Sequence, residues 1–213
     1  MNFETFIKSA SKIKNLNLPG EESQFKMSPP FRKDLIEENR LKMKNAKQAG
    51  VMALFYPNDL GETYLVLILR KTYKGVHSAQ VGFPGGKYED DDPDLEYTAL
   101  RETNEEVGVP INDMEVLKAL SKIYIPPSNF TVSPYLAVAH QTPKFIKQDE
   151  EVEDVIEVAL THFLNDSNTG DFSVMTSLDM ELEVPAFTLN GHVVWGATAM
   201  MLSELKDLLK MAL

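Results

Sequence analysis

The sequence predicts an α+β or α/β sandwich, with strand-like and helix-like stretches interleaved along one chain. Three observations carry this. Residues 51–56, 63–70, 130–139 and 182–189 are rich in β-branched and large apolar residues, the composition of strands. Near the two ends, Phe3, Phe6, Ile7, Ala10 and Ile13, and then Ala197, Met200, Met201, Leu205, Leu208 and Leu209, recur at helical spacing. Between them stands one short, sharply bounded acidic helix, residues 92–108.

The 213 residues suffice for one generous domain, or for a domain with an extension. The balance of 43% hydrophobic and 25% charged residues is that of an ordinary globular chain. A net charge of −11 argues against nucleic-acid backbones and anionic membranes as partners. It also means that an anionic substrate needs local positive charge, which a bound cation supplies. With no cysteine, disulfides, thiolate catalysis and cysteine-ligated metals are excluded. Met1-Asn2-Phe3-Glu4 does not start a secretory signal, and the longest apolar runs are too short to span a bilayer. A cytosolic location is the expectation.

In chain order, residues 3–14 read as an amphipathic helix, residues 18–30 as a Pro-, Gly- and Ser-rich loop, and residues 32–47 as charged and helix-permissive. Residues 1–47 are therefore expected to be a helical extension packed on a main domain of residues 48–213. The runs 51–56 and 63–70, with Pro57 to Gly61 between them, read as a hairpin. After the acidic helix, residues 115–120, 121–125, 130–139 and 151–160 read as strands. Residues 182–189 and 192–195 flank Asn190-Gly191, the signal of a type I′ hairpin. Residues 197–213 close the chain as a helix. Trp195, the single tryptophan, is expected in the core. His140, His162 and His192 have no metal-site spacing.

The stretch from Gly85 to Val109 carries the chemistry. A glycine loop runs into a helix with Asp92 as expected N-cap, Pro93 at the first helical position and Gly108 just past the end. At 100° per residue, Leu100, Thr103 and Val107 share one side. Glu102, Glu105 and Glu106 share another, which is expected to face solvent. An acidic run is ordinarily a solvated face. Three carboxylates this close repel one another, and a hard divalent cation converts the repulsion into binding through oxygen ligands. Arg101, four residues before Glu105, can pair with it.

This stretch resembles the Nudix box, the signature of the Nudix hydrolases: Gly86 matches its first glycine, and Arg101, Glu102, Glu105, Glu106, Gly108 and Val109 match its second half. Asp92 stands where the family has Glu, one extra residue separates it from Arg101, and Thr103 replaces an aliphatic residue. Upstream, residues 70–86 resemble the segment that marks the coenzyme A pyrophosphatase branch, through Arg70, Phe83, Pro84, Gly85 and Gly86. Gly75 stands where that branch has Arg, and Ala79 where it has Gly. Residues 128–134 and 194–199 also look like segments of that branch.

The resemblance implies a mixed sheet between helices, an α/β/α sandwich, and metal-dependent hydrolysis of a diphosphate. The substrate it implies is coenzyme A or an acyl-CoA, giving 3′,5′-ADP and 4′-phosphopantetheine. Glu102, Glu105 and Glu106, with the carbonyl of Gly86, are then expected to hold Mg²⁺ or Mn²⁺, and Arg101 to orient a carboxylate. Glu105, Glu151 or a base hidden from the sequence takes the proton, with Glu153 second to Glu151 as the acidic residue recruited from the loop after the box. Arg70, Lys74, His77, Gln80, Phe83, Gly85 and Gly86 are the expected substrate contacts. ADP-ribose or another nucleoside diphosphate derivative is the alternative substrate, which the Gly75 departure leaves open. A non-catalytic ligand-binding module is a third reading, disfavoured because all three box glutamates are present. A homodimer is one assembly that the sequence allows.

Overall fold

Alternation along the central strands sends side chains to two faces, and both faces are buried. The computed structural model describes residues 1–71, 80–175 and 181–213. The chain opens with α1 (Phe3–Ile13), α2 (Gly20–Gln24), α3 (Arg32–Glu38) and α4 (Arg40–Met43), then enters β1 (Lys47–Pro57) and β2 (Thr63–Arg70). In β1, Ala49, Val51, Ala53 and Phe55 join one apolar core, while Met52, Leu54 and Tyr56 join the other. The first core holds α1 and the C-terminal helix α7 (Gly196–Ala212); the second holds α5 (Leu95–Val107). The α/β/α sandwich is therefore present. One short helix not expected from the sequence, α6 (Leu160–Leu164), follows β8 (Val152–Ala159).

Among the described residues the main sheet has eight strands. β1 runs parallel to β7 (Phe130–Ala139), from Lys47 opposite Phe130 to Phe55 opposite Val138. On its other edge β1 pairs with β2 only over Phe55 to Pro57. The two strands then part. Two strands not expected from the sequence fill the split: β3 (Val81–Gly82) pairs with β2 at Ile68 and Leu69, and β4 (Gly85–Lys87) pairs with β1 at Ala49 to Val51. β8 lies along the far edge of β2, and β5 (Met114–Ala119) and β6 (Ile123–Ile125) along the far edge of β7. The glycine loop is thus wedged into the middle of the sheet.

A second sheet joins β9 (Thr169–Met175), β10 (Glu181–Leu189) and β11 (His192–Val194). Asn190 and Gly191 turn the last hairpin with φ of 51° and 84°, the positive pair that a type I′ turn requires.

The segment from Met1 to Met27 shares the main core. The Phe6 ring packs on Phe55 with centroids 5.0 Å apart, and the amide of Thr63 donates to the carbonyl of Met1 at 2.9 Å. Residues 18–30, expected as a loop, hold α2. Ser203 Oγ donates to the carbonyl of Ser23 at 2.7 Å, and Gln24 donates to the buried Glu204 carboxylate at 2.9 Å. Lys47 is the first residue of β1.

Candidate active site

α5 begins later than its sequence suggests. Its N-cap is Asp94, whose side chain accepts from the amide of Tyr97 at 2.8 Å. Its C-cap is Gly108 at φ 76°, as expected. Asp92, the expected cap, has a different task. Its buried carboxylate accepts from Arg101 Nε at 2.8 Å and Arg101 Nη2 at 2.9 Å, from Thr98 Oγ1 at 2.9 Å and from the amide of Glu89 at 3.1 Å. The Arg101 bonds hold this carboxyl well below the usual carboxylate range, although burial pushes the other way. Asp92 lies nine residues before Arg101. The loop spanning residues 88–93 accommodates that spacing, so the extra residue relative to the family pattern does not prevent the pair.

Arg101 then reaches along the helix. Its Nη1 donates to Glu102 at 3.2 Å and to Glu105 at 3.1 Å, and its Nη2 to the carbonyl of Lys87 at 3.2 Å. One guanidinium therefore ties the helix to β4 and sets two carboxylates. Glu102 lies directly over Gly86: a Cβ on that glycine would collide with its carboxylate. One strand over, a Cβ on Gly50 would strike the carbonyl of Leu95 and come within 2.9 Å of the amide of Ala99. Gly50, which the sequence reading passed over, is what lets the helix sit flat on the sheet.

Glu106 is the main correction. It was expected on a solvent-facing surface, but its side chain is 2% exposed. It accepts from the amide of Gly85 at 2.7 Å and from Arg70 Nη1 at 3.0 Å. Arg70 Nη2 also donates to the carbonyl of Gly85 at 2.7 Å. Gly85 has φ 144°, and a Cβ there would collide with Gly50 and Val51, so only glycine fits. Burial pushes the Glu106 carboxyl up to about 7; Arg70 and the Gly85 amide oppose this, while Glu102 and Glu151 add to it. Burial likewise raises Glu102. Glu105 stays largely open, its side chain 54% exposed.

The loop after β7 is pinned to the end of α5, with the amides of Ile146 and Gln148 donating to the carbonyls of Val107 and Glu106, each at 3.0 Å. The Gln148 side chain accepts from the amides of Glu150 and Glu151 at 2.7 and 2.8 Å, and the Glu151 carbonyl accepts from the amide of Lys71 at 2.9 Å. Glu151 is thereby held close enough for its charge to act on both Glu102 and Glu106. Gln148 had no sequence signal.

The remaining expected contacts divide. Phe83 is a second correction: it is buried in the core beneath the sheet and has no free face for a ligand. Arg70 is held by Glu106 and Gly85. Lys74 and His77 lie outside the described residues. Gln80 borders a cavity together with Trp195, which was expected in the core but is partly exposed.

The donors fit a hard dication. Glu102, Glu105, Glu106 and the backbone of Gly86 offer only oxygen, and burial combined with mutual repulsion raises two of the carboxyls. Among the described residues no three acidic side chains already converge as a ready cluster. Glu106 and Glu102 are each engaged by an arginine.

Residues 46–176 match the NUDIX domain family. The chain is 36% identical over 165 residues to the human protein named mitochondrial coenzyme A diphosphatase NUDT8, covering 76% of this chain and 69% of that one. It is 33% identical over 149 residues to a Yersinia pestis protein named uncharacterized Nudix hydrolase NudL, covering 68% and 71%. The fold resembles the crystal structure of a Nudix hydrolase from M. smegmatis, RenU, with a TM-score of 0.54 at 14% identity, covering 78% of this chain and 87% of that one.

Proposed function

We propose, from the premise that this chain belongs to the Nudix family and is a Nudix pyrophosphohydrolase, that its substrate is coenzyme A or an acyl-CoA. The observation that carries the choice of substrate is the 36% identity to a coenzyme A diphosphatase across most of both chains. The products are 3′,5′-ADP and (acyl-)4′-phosphopantetheine: a water oxygen adds to one phosphorus, the bridging P–O bond breaks, and the other phosphate leaves with its oxygen.

Glu102, Glu105, Glu106 and the carbonyl of Gly86 would hold Mg²⁺ or Mn²⁺. Bound there, the cation neutralises phosphate charge and lowers the pKa of its water. Arg101, anchored on Asp92, sets Glu102 and Glu105. Glu106 takes its place from the Gly85 amide and Arg70. Arg70, partly exposed beside Glu106, offers a guanidinium, whose fork matches phosphate oxygens. The proton of the attacking water goes to Glu151 or Glu105. The test is incubation with CoA and Mg²⁺ or Mn²⁺. Release of 3′,5′-ADP supports the proposal; an intact CoA pool beside hydrolysed ADP-ribose transfers the chemistry to the other substrate.

A further inference from the structure

Two arginines serve the carboxylates of α5, and they are held differently. Arg101 has a buried anchor outside the metal set, the Asp92 carboxylate, at 2.8 and 2.9 Å. Arg70 has no such anchor. Among the described residues its only charged partner is Glu106, which Nη1 meets at 3.0 Å, while Nη2 donates to the carbonyl of Gly85 at 2.7 Å. The Arg70 side chain is 24% exposed, against 2% for Glu106. It covers a buried carboxylate while itself touching solvent.

The backbone builds this contact. At the end of β2 the pairing with β8 slips: Leu69 lies opposite Asp154 and Arg70 opposite Val152, so Glu153 is the extra residue. Such a bulge bends its strand and re-aims a side chain. Beside Arg70 there is room. A Cβ built on Gly82 would have Arg70 Nε and Thr198 Oγ1 as its nearest described atoms, both at 3.9 Å.

Glu106 does not depend on Arg70 for its orientation, because the amide of Gly85 donates to its other oxygen at 2.7 Å. What Arg70 supplies is charge, since a buried carboxylate without a partner is strongly destabilising. A dication on the same carboxylate supplies that charge as well. Two cations a few ångströms apart then repel each other, most strongly where water is excluded. A partner that supports a metal ligand ordinarily raises its basicity. A guanidinium does the reverse.

We infer that Arg70 is the resident counter-cation of Glu106, that it is exchanged for the divalent cation when the site is loaded, and that the released guanidinium then grips a phosphate oxygen of the substrate. The inference rests on the metal set and the diphosphate substrate proposed above, and it adds an order to them: cation first, diphosphate second. A phosphate that drew Arg70 away first would leave Glu106 buried and unpaired.

The experiment strips the full chain of metal with chelator and titrates it with Mn²⁺ in the absence of substrate, following free Mn²⁺ by electron paramagnetic resonance and binding by calorimetry. Arg70→Gln removes the charge and is expected to bind Mn²⁺ roughly tenfold or more tightly than wild type. Arg70→Lys keeps the charge and is expected to stay within about threefold. Equal or weaker Mn²⁺ binding by Arg70→Gln overturns the inference, because that is what a purely supporting partner gives. On a Glu106→Gln background the gain should vanish; a gain that persists there arises elsewhere and also overturns it. If Arg70→Gln does not fold in chelator, folding on addition of Mn²⁺ supports the exchange, and failure to fold in Mn²⁺ overturns it. With CoA at saturating Mn²⁺, Arg70→Gln is expected to raise KM by roughly tenfold or more, with a smaller fall in kcat. An unchanged KM overturns the transfer of the guanidinium to phosphate. Should wild type leave CoA intact, the substrate proposal fails, and the Mn²⁺ comparison still decides the exchange.

Discussion

Arg101 grips Asp92 through two parallel N–H···O bonds of 2.8 and 2.9 Å, and the same guanidinium reaches Glu102 and Glu105. A buried, bidentate pair thus connects the loop before α5 to the carboxylates on it. Lysine is a single point charge and cannot reproduce the fork. Arg101→Ala leaves Asp92 as an unpaired buried charge, which costs about 3–5 kcal/mol. For a chain of this size that lowers the melting temperature by roughly 6–20 °C. Arg101→Lys should fall between the two. Differential scanning calorimetry measures both; an unchanged melting temperature for Arg101→Ala contradicts the anchoring role.

Acid should expose the same pair. The Asp92 carboxyl in the folded protein titrates below its unfolded value of about 3.9. Its contribution is therefore fully present above that value and is lost as pH falls through it toward the folded pKa. The stability gap between wild type and Asp92→Asn is expected to be constant from pH 7 to about 5 and to shrink below about 4. Urea unfolding at pH 7, 5, 4 and 3 tests this, and a gap that does not vary with pH would falsify it.

Glu106 accepts from a backbone amide and an arginine in a buried pocket, whereas Glu105 is open to solvent. Both Glu105→Gln and Glu106→Gln are expected to reduce turnover by about 10- to 100-fold, in line with loss of a metal-site group or its support. Only Glu106→Gln should also perturb the fold, because it alters a buried hydrogen-bonded network. Turnover at saturating Mg²⁺, with thermal unfolding alongside, separates the two. Excess chelator should abolish wild-type activity, and added Mg²⁺ or Mn²⁺ should restore it.

The close contact between Gly86 and Glu102 is equally testable. Gly86→Ala places a methyl group against that carboxylate, and a displacement of about 1 Å can cost roughly 100-fold in rate. Gly50→Ala instead meets the backbone of α5 and should cost about 1–3 kcal/mol of stability. A rate loss without a stability loss is expected at position 86, and a loss of both at position 50.

Phe83 distinguishes packing from substrate contact. Buried in the core, Phe83→Ala is expected to cost about 3–5 kcal/mol. A rise in KM with unchanged stability would instead restore Phe83 to the substrate-binding set.

The elements legible in the sequence were those written in local patterns. β2 and β7 occupy residues 63–70 and 130–139 as expected, α1 and α7 follow their apolar spacing, and the Asn190-Gly191 turn has the geometry that its residues demand. β3 and β4 were missed because they are two and three residues long and exist only by pairing into the split between β1 and β2. Asp92 was misassigned because an aspartate before Pro93 looks like a helix cap, and its true partner is set by the path of the loop. Trp195 was placed in the core on hydrophobicity alone, yet the hairpin before it leaves one side open.

The sequence by itself determined the chemistry available: three glutamates on one short helix, an arginine just ahead of them, glycines before that, and no cysteine. Residue type and helical spacing are local properties, and they suffice for that. Only the tertiary structure decided how those groups differ. It buried Glu106 against Gly85 and Arg70, left Glu105 in solvent, and brought Glu151 near from a separate loop. Burial and long-range pairing set the field at each carboxylate, and neither is encoded in any one stretch of chain.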